Sequence, residues 1–176
     1  MTGADLAALF DTVTHTAFRL ETRQSYDVAG DLAGLRAFRN GLPRPERSVR
    51  TNAFLRRIAQ QTIAGARWSR VRVVEYPLTE YVRYELLGYV ESQAAGEEIR
   101  LVDRDFVEDI GEDFWLLDAG TPRGRAVLMH YDDQGRIVDR ELASDAALLA
   151  QLAGRQAAVE IHAVSLNAFL AGCVDV

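Results

Sequence analysis

The stretch from Arg70 to Glu85 reads RVRVVEYPLTEYVRYE. Val71 and Val73 alternate with Arg70, Arg72 and Val74, and alternation rich in β-branched residues predicts a strand. Pro77 ends it, because the residue before a proline is pushed out of the α region. Thr79 or the Pro77 turn can start a helix, and from there Leu78, Tyr81, Val82, Leu86, Tyr89 and Val90 recur at spacings of three and four, one apolar stripe. Arg83, Glu80 and Glu91 lie off that stripe, and Tyr84 and Glu85 sit at its edge. The unit is strand, tight turn, amphipathic helix. Period two puts Arg70 and Arg72 on the same face of the strand. Either two guanidiniums converge on a cleft, or they cap an edge strand and pair with Glu75 and Glu85.

Working outward, residues 4–13 predict a short helix with Leu6, Leu9, Phe10 and Val13 inward. In Ala17–Tyr26, Phe18 and Leu20 alternate with Arg19 and Glu21, which predicts a strand whose two charges pair with each other or with a neighbour. Gly30–Phe38 predicts a helix with Leu32, Leu35 and Phe38 inward, closed by Asn40-Gly41. Residues 42–45 are a linker. Ser48–Ile63 predicts a helix of about four turns with Ser48 as N-cap and Gly65 as stop.

Beyond the central unit, Ala94–Glu97 is a turn and Glu98–Asp103 a strand. Asp113–Asp118 reads DFWLLD; four consecutive large apolar residues fit a strand buried on both faces. Residues 126–131 and 136–142, joined by a short Asp/Gly turn, predict a β-hairpin. A C-terminal helix runs from Ser144-Asp145 to about Leu170, bent or split at Gly154, and Gly172 ends it. The sum is one domain over 1–176. Its fold class is α+β, a central mixed sheet of five or six strands flanked by helices.

Composition narrows the function. The chain has 176 residues, 48% hydrophobic and 26% charged, which is globular. The net charge is −6, so a dedicated nucleic-acid binder is not expected, although arginines cluster between Arg44 and Arg72. All 20 basic residues are arginine. Cys173 is the one cysteine, so no disulfide forms within the chain and no thiolate metal site is expected. The first residues carry no secretory pattern, and no run approaches a membrane span. The expected location is cytoplasmic.

No catalytic or cofactor motif is complete. GxSxG and GxGxxG are absent, and without lysine a P-loop cannot be built; no cofactor is expected. The three histidines, His15, His130 and His162, form no metal-binding pair. His130, near a strand end beside Tyr131 and Asp132, is the candidate general acid or base; the plainer reading is a histidine hydrogen-bonded at a sheet rim. Arg70, Arg72, Arg83, Glu85, Asp113 and Asp118 are polar residues set among apolar ones, as are Arg19 and Glu21. Charges so placed are paired or used, and arginine forks suit carboxylate or phosphate.

Five motifs together resemble a known family. They are His15–Glu21 with Tyr26, Arg70–Val74 with Pro77–Thr79, Tyr81 and Arg83–Leu86, Ala95–Glu97 with Ile99-Arg100, Asp113–Asp118, and His130–Asp133 with Gly135-Arg136. The combination is similar to an actinobacterial family catalogued as domain of unknown function 6879. The resemblance spans about 15–142, and the helical segment 144–171 matches only in character. It implies an accessory or regulatory protein, encoded near helix-turn-helix regulators, with no catalytic residues to carry over. The element order also resembles a degenerate phospholipase-D-like half-domain.

Two functions follow as expectations. One is a non-catalytic regulatory module that binds a partner protein, such as a helix-turn-helix transcriptional regulator, or a small anionic ligand. The other is an enzyme acting on a small anionic substrate, and it needs His130 to face the same cavity as Arg70, Arg72 and Arg83. A homodimer, through a strand edge or packed helices, is open in either case.

Overall fold

The computed structural model describes residues 1–108 and 110–172; Cys173 lies outside them. In chain order the elements are α1 (Gly3–Phe10), β1 (Thr16–Glu21), α2 (Leu32–Arg39), α3 (Ala53–Ile63), β2 (Arg67–Val74), α4 (Glu80–Ala94), β3 (Glu97–Asp103), β4 (Asp113–Leu117), β5 (Arg125–Tyr131), β6 (Ile137–Ala143), α5 (Ala146–His162), β7 (Val164–Ser165) and α6 (Leu166–Gly172). The strands form one mixed sheet in the order β6-β5-β4-β1-β2-β3-β7. β1, β2 and β3 run parallel. β4, β5 and β6 follow as antiparallel neighbours on one side, and β7 on the other. The class is α+β, as expected, with seven strands among the described residues.

The sheet has two unlike faces. On the first, α1 and α3 supply Leu6, Leu9, Phe10, Leu55 and Ile58, which pack on Trp68, Trp115 and Val127. α4 supplies Val82, Leu86 and Tyr89 over Val74, Ile99 and Leu101. Alternation along the strands sends the intervening residues to the second face. There Phe18, Leu20, Val71, Val73, Phe114 and Leu116 meet Leu152 and Val159 of α5. Every residue of β4 is buried, in agreement with its unbroken apolar sequence.

Local chemistry accounts for most boundaries. Thr2 and Asp5 form a reciprocal capping box at α1. The Thr79 hydroxyl caps α4 at the backbone N–H of Val82. Gly65 takes φ +98° just past α3, where a side chain would be strained. The Tyr76–Pro77 peptide is cis, and β2 stops two residues earlier at Val74.

Three expectations are corrected. α3 starts at Asn52, not Ser48: the Asn52 side chain accepts from the N–H of Leu55 at 3.0 Å, whereas the Ser48 hydroxyl donates to Glu46. α5 runs unbroken through Gly154. A mid-helix glycine costs about 1 kcal/mol, less than burial of Leu152 and Val159 on either side returns. Finally, the helix does not continue to Leu170. Val164-Ser165 extends as β7 and pairs with the edge of β3, and the Ser165 hydroxyl caps α6 by accepting from the N–H of Ala168.

The segment 28–52, which carries α2, behaves differently from the rest. Leu32 and Leu42 are exposed, Leu35 and Phe38 are only half-buried, and Gly34 is its one buried residue. None of its side chains joins an apolar cluster. Polar contacts tie this strap down. Tyr81 donates to Asp31 at 3.0 Å, Arg39 pairs with Glu80, and Arg44 and Arg47 both pair with Glu91.

Candidate functional site

Beneath the strap the first sheet face turns from apolar to charged. β1 contributes Arg19 and Glu21, β2 Arg70 and Arg72, β3 Glu97 and β4 Asp113, all buried. The parallel register sets Arg19 beside Arg70 and Glu21 beside Arg72. Three guanidiniums therefore face three carboxylates before Glu85 is counted. β2 is central rather than an edge strand. Its arginines pair with Glu21 and Glu97, not with Glu75.

The pairing is uneven. Arg19 reaches Asp113 at 2.7 Å, and Asp113 also accepts from the Tyr26 hydroxyl at 2.5 Å and the N–H of Thr22 at 2.8 Å. Arg70 reaches Glu21 at 2.5 Å and Glu97 at 3.0 Å, while Tyr89 donates to Glu21 at 2.6 Å. Arg72 is fully buried. It lies 3.5 Å from Glu21 and over the Tyr26 ring at 5.0 Å, yet none of its three side-chain nitrogens makes a hydrogen bond among the described residues. A buried donor left unmatched is costly, so this guanidinium marks the least satisfied point of the cluster.

The electrostatics follow. Burial alone would raise the Glu21 carboxyl, but Arg70, Arg72 and Arg19, in that order, hold it well below the ordinary carboxylate range. Glu85, on the inner side of α4, has the opposite fate. Burial first, then the charges of Glu21 and Asp31, push it up to about 7 against the pull of Arg72 and Arg70. Asp31 is raised by burial too, against its bond from Tyr81 and the charge of Arg47.

Two cavities lie over this cluster. The outer, of about 620 Å³, runs between the strap and Phe54. The inner, of about 90 Å³, is floored by Arg70, Glu85 and Tyr89. They share Asp31, Arg44, Arg47 and Tyr84, so the outer cavity adjoins the inner one over the charge cluster. Arg44 and Arg47 both pair with Glu91, and the Asp31 carboxylate shares the neck with them. Glu46, on the outer wall, is taken by Arg50.

Of the residues expected at a site, Arg70, Arg72, Glu85 and Asp113 come together here. Arg83 does not; it is exposed on the outer side of α4. Asp118 closes the far end of β4. With φ 47°, its carboxylate accepts from the N–H groups of Thr14, His15 and Thr16 at 3.1, 2.8 and 3.0 Å, and these bonds, against burial, lower its pKa. It is a loop anchor. His130 shares the second sheet face with Ala126 and Leu128 and contacts Glu112 at 2.8 Å and Glu141 at 3.3 Å. The arginines occupy the first face, so the sheet itself separates them from His130. Asp31, Glu97 and Tyr89 were not foreseen: Glu97 sits at a turn in sequence, Tyr89 reads as part of an apolar stripe, and Asp31 carries no local signal. Among the described residues, no three His, Cys, Asp or Glu side chains are arranged to hold a metal ion.

The sequence model of the family described as Domain of unknown function (DUF6879) matches residues 4–171. The chain belongs to this family. The DUF6879 match takes in α1 at one end and α5 to α6 at the other, beyond the 15–142 that the motifs delimit. The whole sheet, the strap and both cavities therefore fall within DUF6879. No curated protein matches the chain. No described helix is long and apolar enough to cross a membrane.

Proposed function

We propose that this chain is a non-catalytic binding module, accessory or regulatory in role, whose ligand is a small anionic molecule held in the cleft between the strap and α4. One observation carries the reading: two adjoining cavities between the strap and α4 share Arg44 and Arg47 in their walls, and the inner one is also lined by Arg70. Guanidiniums recognise carboxylate and phosphate through paired N–H donors. Retention of so many buried charges also supports use. Buried ion pairs seldom stabilise more than apolar residues of equal volume. An enzymatic reading built on His130 loses its support, because a general base must reach its proton directly or through one water and His130 lies across the sheet.

Native mass spectrometry of protein gently purified from the cells that make it tests the proposal. The expected result is a small additional mass that is lost when Arg44 and Arg47 are both changed to Ala and kept in Arg83→Ala. A co-purifying protein, such as a helix-turn-helix regulator, would move the reading from ligand to partner. A bare chain in every preparation would count against tight constitutive binding.

A further inference from the structure

We propose that the inner cavity takes an oxyanion head group together with one proton, and that the proton resides on Glu85, facing the anion. This rests on the reading of the cleft as an anion site and adds the chemistry of its innermost part.

The geometry supplies one donor and one obstacle. Arg70 uses Nη1 for Glu21 and Nε for Glu97, which leaves Nη2 without a hydrogen bond among the described residues, on a side chain that lines the cavity. Arg47 borders the same space from the strap, with Nη1 held by the Gly88 carbonyl at 2.9 Å and Ser92 at 3.2 Å. A cavity of about 90 Å³ accepts a head group of a few heavy atoms and no more. The obstacle is Glu85. Its carboxyl makes no hydrogen bond or ion pair among the described residues and lines the same small space. Ionised, it would sit against the incoming anion. Protonated, its O–H becomes the missing donor.

The surroundings favour the protonated form. β1 presents Glu21; β2 presents Arg70 and Arg72; the strap presents Asp31, Arg44 and Arg47; α4 itself adds Tyr81, Tyr84 and Tyr89, and the loop after β1 adds Tyr26. Arg70 is already engaged by Glu21 and Glu97, and Arg72, although close, makes no bond to Glu85. Burial with Glu21 and Asp31 outweighs both arginines and puts Glu85 near 7. A bound anion adds one more negative neighbour and raises it further. The reaction balances as ionised Glu85 plus anion plus one solvent proton giving neutral Glu85 hydrogen-bonded to the anion.

The probe is sulfate, which does not titrate near neutrality, added to the full chain in calorimetry at pH 6, 7 and 8 in two buffers of different ionisation heat. Wild-type protein should bind tightest at pH 6, lose affinity by about tenfold per unit above pH 7, and take up close to one proton per sulfate at pH 8. Glu85→Gln, which keeps shape and an N–H donor, should bind with no proton uptake and no change in affinity between pH 6 and 8. Wild-type affinity that is flat with pH, or equal uptake in both proteins, overturns the coupling and leaves the anion site standing. No sulfate binding to wild type at pH 6 overturns the anion reading and this proposal with it.

Discussion

The two faces of the central strands are covered in opposite ways. On one face α5 lays Leu152 and Val159 on Phe18, Leu20, Val71, Val73, Phe114 and Leu116. On the other, a strap with no side chain in any apolar cluster among the described residues covers Arg19, Glu21, Arg70 and Arg72 and is tied by hydrogen bonds, ion pairs and the Phe38–Tyr84 ring contact. The same strands supply both faces, residue by alternate residue. The difference teaches where stability resides and where it is spent. Burial of the apolar face stabilises at about 25 cal/mol per Å². The charged face at best offsets its own desolvation, and the lid over it rests on contacts that water can replace.

That contrast can be broken or sharpened by substitution, and the largest effect belongs to the hub of the charged face. Glu21→Ala leaves Arg70 and Arg72 buried with no shared carboxylate and should cost about 3–5 kcal/mol in urea unfolding. Acid tests the same hub. The Glu21 carboxyl is depressed in the folded chain, so its contribution is present above the unfolded carboxylate range and should fade as pH falls below it. A loss under about 1 kcal/mol would mean the cluster reorganises freely, and the two faces would then differ less than their packing implies.

Next comes the apolar face. Leu152 is fully buried, and Leu152→Ala should cost about 2–4 kcal/mol, uniformly between pH 5 and 8. Glu85→Gln tests the charged face in the other direction. Burial and the charges of Glu21 and Asp31 push folded Glu85 up to about 7, above the ordinary carboxylate range, so the folded state binds the extra proton and wild-type stability should decline as pH rises from about 4.5 to 7. The variant should lack that decline and be more stable at pH 8 by on the order of 2 kcal/mol. Arg72→Met should cost less than Glu21→Ala, about 1–2 kcal/mol, because the guanidinium it removes makes no hydrogen bonds among the described residues although it helps hold Glu21 ionised. Smallest of all, Arg83→Ala on the exposed side of α4 should stay within about 0.5 kcal/mol. A larger effect there would place Arg83 in a contact that this chain alone does not make.

Much of the scaffold is legible locally. Alternation from Arg70 to Val74, the Pro77 break and the three-and-four spacing after Thr79 yield β2 and α4. Four large apolar residues in a row yield the doubly buried β4. The pairing of Arg19 with Glu21, at 3.6 Å, follows from their spacing of two. Legibility fails where a residue's partner is distant in sequence. Leu32, Leu35 and Phe38 mimic a buried stripe, but α2 meets α4 through Phe38 and Gly34 against Tyr84, which leaves Leu32 in solvent. Val90 fails likewise: α4 turns Tyr84 and Glu85 toward the cluster, which rotates Val90 outward to 48% exposure.

Period-two and period-3.6 patterns therefore specify the strands, the helices and which side chains share a face, because those depend on neighbours a few residues away. Which residues make the site was decided by assembly. Parallel pairing brings Glu21 beside Arg72, 51 residues on, and β3 delivers Glu97 to Arg70. The alternation that joins Arg70 to Arg72 also separates both from His130, once β1, β4 and β5 are laid edge to edge. Charge in a folded interior acts through space across strands and layers, and no local pattern records that distance.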